Sequence, residues 1–402
     1  MCALAITTVQ PAQAQTFQVL YSFKDGADGA TPNGIAIDAA GNLYGTTLSP
    51  GNCFLGGCGG VFRLARSGTG WILSSLYHFQ GGTDGRWPHA AVTVASDGSL
   101  YGTTTGGGGG SCNLGQIPGC GTVYRLRPSL TPCKSAICPW NETIIHTFAD
   151  DPIWFPYAAV TFDSAGNLYV TAVGGPGNPG GVFEMTPTEG GWTYNILHIF
   201  TGNPDGSSPY GAVTLDPAGN IFGTTFEGGG SSNYGTVYEV SPSGSGWTEN
   251  VLYAFTYDSG FTTFVGLVRD HAGNLYGATG GGGSKGGGTI FELSPSNDGY
   301  SFSVIYDNFP EYQGGGASSR LVMDKAGNLY GTAGTVGAHN QGMVFKLSPT
   351  QGGWILTDLH DFDISDGAVP GGDIALDADG NLYGVTTVGG ADGFGVVWEI
   401  TP

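Results

Sequence analysis

Asp216-Pro-Ala-Gly-Asn-Ile-Phe-Gly-Thr-Thr225, followed ten residues later by Gly235-Thr-Val-Tyr-Glu-Val240, is the stretch on which the fold turns. Upstream, Tyr210-Gly-Ala-Val-Thr-Leu-Asp216 alternates apolar and polar residues as a strand does. Asp216-Pro-Ala-Gly219 then reads as a tight hairpin, in which Asp accepts bonds from turn amides and Gly supplies the positive φ. Asn220 to Thr225 returns as a second strand, a glycine-rich loop from Glu227 to Tyr234 leads to the third, and Trp247 to Phe255 forms a fourth.

The same stretch recurs seven times. Its aromatic falls at Tyr44, Tyr101, Tyr169, Phe222, Tyr276, Tyr330 and Tyr383, with spacings of 57, 68, 53, 54, 54 and 53. Four short antiparallel strands at a period of roughly 40–55 residues specify a β-propeller blade. The chain is therefore expected to be all-β, a single seven-bladed propeller over residues 16–402, with four antiparallel strands per blade. The third strand is present seven times. The fourth, closing on Phe79, Phe148, Phe200, Phe255, Phe309 and Phe362, is present six times. Its seventh copy stands at the other end as Thr16-Phe-Gln-Val-Leu-Tyr-Ser-Phe23, so strand 16–23 is predicted to complete the last blade and close the ring.

Composition limits the partners. Twelve Lys and Arg oppose 32 Asp and Glu, a net charge of −20. Such a surface repels phosphate backbones and excludes nucleic acid as a partner class. It also disfavours docking on anionic membranes, leaving cations, neutral glycans and basic proteins. No run reaches the ~18–20 apolar residues of a transmembrane segment. Residues 1–15 carry a short apolar stretch, Cys2 to Val9, before Ala12-Gln13-Ala14, which has the small-x-small form of a cleavage site. That reads as a signal-peptide remnant, or alternatively as a disordered tail. Secretion, to an extracellular or periplasmic location, is the expectation.

The other six cysteines fall in three close pairs: Cys53 with Cys58, Cys112 with Cys120, and Cys133 with Cys138. Local disulfides are the economical reading in an exported chain. A zinc site shared by the first two pairs is the alternative, unsupported by tight C-x-x-C spacing.

Every blade meets the same packing demand, so departures from the repeat are better functional clues than the repeat itself. The shared Tyr is read as core. The fourth-strand position held by Tyr21, Tyr77, His146, His198, Tyr253 and His360 is read as packed and hydrogen-bonded. Counting four residues back from the turn Asp gives the channel-lining set Gly34, Ala91, Ala159, Ala212, Gly266, Arg320 and Asp373. Arg320 and Asp373 are either an ion pair sealing the channel or part of a polar ligand site. Further up the same strands lie His89, Tyr157, Tyr210, Phe264, Ser318 and Gly371. With Trp87 and Trp154 these form an expected aromatic mouth, able to stack on sugar rings or to fill a hydrophobic rim. The fourth-to-first loops, on the same expected face, hold Asp25, Asp28, Asp84, Asp150, Asp151, Asp205, Asp258, Glu311, Asp363 and Asp366. These are ordinary turn residues or a weak calcium-attracting rim. No other cofactor and no metal ligand set is indicated. G-x-S-x-G, H-E-x-x-H and Walker patterns are missing, and the glycine runs at 106–110 and 280–283 lack the helix and lysine of a phosphate loop. His89, Tyr157, Arg320 and Asp373 are the catalytic candidates if there is catalysis, linked only by expected location.

With its Asp-x-x-Gly-Asn-Leu-Tyr-Gly-Thr-Thr core and following Gly-Thr-Val-Tyr/Phe-Glu-Leu-Ser/Thr-Pro, clearest at 216–242, 270–295 and 324–349, the chain resembles the bacterial GloVer (Gloeo_Verruco) tandem-repeat family over residues 32–402. The resemblance implies an exported repeat protein, often with a C-terminal sorting anchor, and transfers no catalytic residue. Here the expectation is a chain ending on a repeat strand at Thr401-Pro402 without such an anchor. The second repeat (Ala95 for Asp) and the third (Asn167-Leu-Tyr-Val-Thr-Ala172) depart from the motif. Three functions follow as expectations. One is a non-enzymatic propeller binding a glycan or extracellular protein on its loop-rich face. Another is a carbohydrate-active enzyme, polysaccharide lyase or glycoside hydrolase, working at the channel mouth. The third is a structural cell-surface or assembly component.

Overall fold

A computed structural model of the chain describes all residues except 1–14, 50–56, 115–116, 130–139, 150, 176, 178, 245, 308 and 310–315. The described residues contain strands and no α-helix, and no helix long and apolar enough to cross a membrane. Seven four-stranded antiparallel sheets follow one another along the chain as the blades of a propeller. Blade 4, for example, comprises Thr214–Leu215, Ile221–Thr224, Thr236–Ser243 and Gly246–Ala254 in that spatial order, inner to outer. Closure is as the repeat count requires. Strand Thr16–Ser22 pairs antiparallel with Val396–Thr401, Thr16 opposite Thr401 and Ser22 opposite Val396.

The core is divided among the joints between blades. Seven buried clusters each combine residues of two neighbouring blades. The repeated motif explains how. In the hairpin, Asp38 accepts the Ala40 and Asn42 amides on Oδ1, and the Asn42 side chain and Tyr44 hydroxyl on Oδ2. Asp163, Asp324 and Asp377 build the same staple in their blades. The next residue, Gly, leaves room for an aromatic ring from the third strand. A Cβ on Gly223 would lie 2.3 Å from the Tyr238 hydroxyl, and one on Gly384 would lie 2.2 Å from the Trp398 ring.

The first Thr of the Thr-Thr pair ties one blade to the next. Thr103, Thr171 and Thr224 donate their hydroxyls to the carbonyls of Ala158, Gly211 and Val265 in the following blade. This corrects the expected inner strand. Instead of Tyr210 to Asp216, only Thr214–Leu215 is regular in blade 4, and the inner strands of blades 2 to 6 are all two residues long. In blades 3, 4 and 5 carbonyls beside the short strand are taken by threonines of the preceding blade, so there the chain nearest the axis is held across blades. Full inner strands survive only in blades 1 and 7, at Ala30–Ile37 and Ala368–Leu376.

The Cys112–Cys120 disulfide is present, and Cys58 is also disulfide-bonded. The expectations for Cys53, Cys133 and Cys138 lie outside the described residues.

Candidate functional site

In six of the seven blades the chain turns through a left-handed residue where it enters the inner strand or its approach. Thr31, Trp87, Phe155, Ser208, Thr262 and Val369 have φ between 52° and 64°. A non-glycine residue rarely adopts this conformation without compensation. Here the exposed amide is caught by the preceding blade. Trp87 donates its N–H to Cys58 O, Phe155 to Cys120 O, Ser208 to Pro179 O and Val369 to Gln341 O. The kink latches blades together and directs the residue two positions on toward the channel mouth. Around the ring that residue is Asn33, His89, Tyr157, Tyr210, Phe264 or Gly371, and Ser318 lines the mouth in blade 6.

These side chains enclose a cavity of about 440 Å³ at the head of the channel, floored by Ala159, Ala212, Gly266, Arg320 and Asp373. His89, Tyr157, Tyr210, Arg320 and Asp373, singled out from the sequence, all line it. Four rings form a continuous crescent over blades 2 to 5. Centroids are separated by 4.7 Å from His89 to Tyr157, 5.1 Å from Tyr157 to Tyr210 and 5.4 Å from Tyr210 to Phe264. Phe264 is 53% exposed, far more than a packing residue would be.

Trp87 and Trp154, also singled out, do not line the cavity. The left-handed kink turns Trp87 aside, where its indole N–H donates to Gly57 O and Arg86 lies over its ring. Trp154 donates to Asp151 O and packs its ring where a Cβ on Gly175 would stand. Both pin loops.

The Arg320–Asp373 ion pair does not form. Arg320 points away from blade 7, donating Nε (3.1 Å) and Nη2 (3.0 Å) to Leu267 O and Nη2 to Thr214 Oγ1 (3.1 Å). It thereby satisfies the inner backbone of blade 5, whose ladder is cut short. Asp373 is enclosed by protein while still facing the channel. Burial raises its carboxyl pKa, which the Arg320 charge only partly offsets. Burial also lowers the His89 imidazole to about 4, so it is neutral at pH 7, and lifts the Tyr157 phenol to about 12.

Asp28, Asp84 and Asp366 of the rim hold their own turns. Asp28 accepts the Lys24 and Gly26 amides and the Tyr21 hydroxyl. Asp84 binds the Gln80 amide and Tyr77, and Asp366 the Asp363 amide and His360. At the Tyr/His position, Tyr21, Tyr77 and His360 are thus hydrogen-bonded, and Tyr253 is packed against Phe255 and Phe302. Asp150 and Glu311 lie outside the described residues.

Sequence reading missed the facing residue of these joints. Two positions after the fourth-strand Trp or its equivalent, the chain carries Phe17, Leu73, Glu142, Tyr194, Glu249, Phe302 and Leu356. Aligning fourth strands alone would have exposed the two glutamates.

Among solved structures, the chain is similar to the extracellular domain of a protein described as a one-component system, BT4673, from B. thetaiotaomicron, with TM-score 0.54 and 12% identity over 95% of this chain and 39% of that one. It is similar also to PorZ, a bacterial surface component of the type-IX secretion system of Porphyromonas gingivalis, with TM-score 0.53 and 16% identity over 91% of this chain and 46% of that one. At these identities the likeness shows the fold alone, and the chain spans less than half the length of either. No curated protein matches the sequence. The model of the Gloeobacter/Verrucomicrobia repeat matches residues 5–134, 110–309 and 249–402, overlapping spans that run almost from end to end, and the chain belongs to that repeat family.

Proposed function

We propose that this chain is an exported, non-enzymatic propeller that binds a neutral saccharide at the mouth of its central channel. The observation that carries the reading is the aromatic crescent from His89 to Phe264 around a cavity of about 440 Å³. Concave sites of ~300–1,000 Å³ suit small ligands better than flat protein surfaces. Aromatic faces present apolar area to sugar rings, and Ser318 and Asn33 offer polar contacts at the opposite edge. The net charge of −20 argues for a neutral glycan over a polyanionic one.

Export is supported by the small-x-small site at Ala12 to Ala14 and by the Cys112–Cys120 disulfide. Two-carboxylate glycoside hydrolysis fits poorly, because Asp373 is the one carboxylate among the described lining residues. A glycan array on the purified chain, with product analysis, tests the reading. Binding that is weakened at least ~10-fold by Tyr157→Ala or Tyr210→Ala, without cleavage, is expected. Cleavage lost on His89→Ala would replace it with the lyase reading, and binding confined to a protein partner would remove the saccharide.

A further inference from the structure

At the outer part of each joint, the Tyr/His of one blade meets a fourth-strand residue of the next. Three of these meetings are flat stacks: Phe17 on His360 at 3.5 Å, Tyr194 on His146 at 4.3 Å, and Phe302 on Tyr253 at 3.7 Å. Leu73 and Leu356 hold the same sequence position in two further joints. The remaining two place a glutamate there. Where Glu142 meets Tyr77, the phenol donates to both acids of the joint, 3.0 Å to Glu142 and 3.2 Å to Asp84. Where Glu249 meets His198, the imidazole Nε2 bonds Asp205 Oδ2 at 3.1 Å, and Glu249 Oε1 is enclosed without a hydrogen-bond partner.

We propose that this joint between blades 3 and 4 binds a first-row divalent cation through His198 Nε2 and the carboxylates of Asp205 and Glu249. The three donor atoms lie within 4.8 Å of one another. Asp205 is nine-tenths buried and already oriented, accepting the Thr201 amide at 3.0 Å and its hydroxyl at 2.6 Å. Such bonds around a ligating carboxylate are what fix a metal site. An imidazole nitrogen with two carboxylates suits zinc or manganese, and calcium, which takes oxygen ligands, is disfavoured. His198 is 22% exposed, which leaves the ion a route from solvent. Three protein ligands leave a coordination position for water.

The test is calorimetric titration of the full chain, stripped with a chelator, using zinc, manganese and calcium chlorides, alongside thermal melts. One saturable zinc site and a zinc-dependent rise in melting temperature are expected. Glu249→Leu copies the residue of the Leu73 and Leu356 joints, and His198→Tyr copies the Tyr77 joint. Both variants should therefore fold, and each should weaken zinc binding by about 100-fold or more, since loss of even an outer partner costs 10–100-fold. Thr201→Ala should weaken it by a smaller factor. Zinc affinity unchanged in either of the first two variants overturns the proposal, as does the lack of a saturable site in the parent. In either case Glu249 is held by a proton or a water instead.

Discussion

On the hairpin face of the ring, Asp38, Asp163, Asp216, Asp270, Asp324 and Asp377 each accept the Asn side chain four residues on at 2.7–2.9 Å. On the channel face the corresponding residues take six identities in seven blades, from Asn33 through His89, Tyr157, Tyr210 and Phe264 to Ser318 and Gly371. The hairpin face is under one physical demand, because every blade must turn and satisfy the same amides. Even where blade 2 loses the aspartate, Arg127 compensates by bonding both Asp97 and Ser99. The channel face has its backbone fixed by left-handed latches that tolerate any side chain two residues on. Repetition there is free to lapse, and it has.

The comparison can be broken or sharpened by substitution. Deleting residues 16–23 should affect both faces most, leaving blade 7 with an open edge and giving aggregated or unfolded protein by size-exclusion chromatography and circular dichroism. A soluble, cooperatively melting truncation would refute ring closure as a requirement. Gly223→Val should cost about 1–3 kcal/mol or more by urea denaturation, since a Cβ there meets the Tyr238 hydroxyl at 2.3 Å. Blade 3 already carries Val170 at this position, so Val170→Ala should behave as a simple buried truncation. Asp216→Ala should cost about 1–2 kcal/mol through the unpartnered Ala218 and Asn220 amides, with saccharide binding untouched.

A pH series separates the staples from the joints. For Asp38, Asp324 and Asp377, burial pushes the carboxyl upward, but hydrogen bonds from the Asn side chain, turn amides and Tyr outweigh it and hold the pKa below 3.8. The folded state thus prefers the ionised form. This stabilisation is complete above the ordinary Asp range and is lost as pH falls through the lowered values. Glu142 behaves oppositely. Burial raises it to about 7, with Tyr77 opposing and Asp84 adding, so stability declines as pH rises from about 4.5 toward 7. Urea midpoints should therefore fall away on both sides of a maximum near pH 4–5, and Glu142→Gln should flatten the upper limb. An unchanged slope in that variant would discard Glu142 as a source. The smallest stability effect belongs to Phe264→Ala, within ~0.5 kcal/mol for a side chain 53% exposed, yet it should weaken saccharide binding. Destabilisation without loss of binding would make Phe264 a packing residue and end the contrast between the faces.

Much of the architecture was legible because period, turn chemistry and strand count are local properties that repeat. The closing strand at Thr16 could be located by counting alone. The brevity of the inner strands was not legible, since it depends on threonines such as Thr171 reaching into another blade. Counting back from the turn brought Tyr157, Tyr210, Arg320 and Asp373 to one cavity correctly. It failed for Trp87, whose left-handed φ of 56° no residue type announces, and for the direction of Arg320, which follows the Leu267 carbonyl and the Thr214 hydroxyl of two other blades. The Glu249 joint escaped notice because its partner His198 comes 51 residues earlier, in the preceding repeat.

Seating the first strand against the last also sets the order of assembly. Six blades complete themselves from chain made within one period, whereas Thr16 must wait for Thr401, 385 residues later. During synthesis the earliest strand is an unmatched edge and the ring an open arc. Every product interrupted before Val396–Thr401 lacks its clasp and stays open to proteases and chaperones.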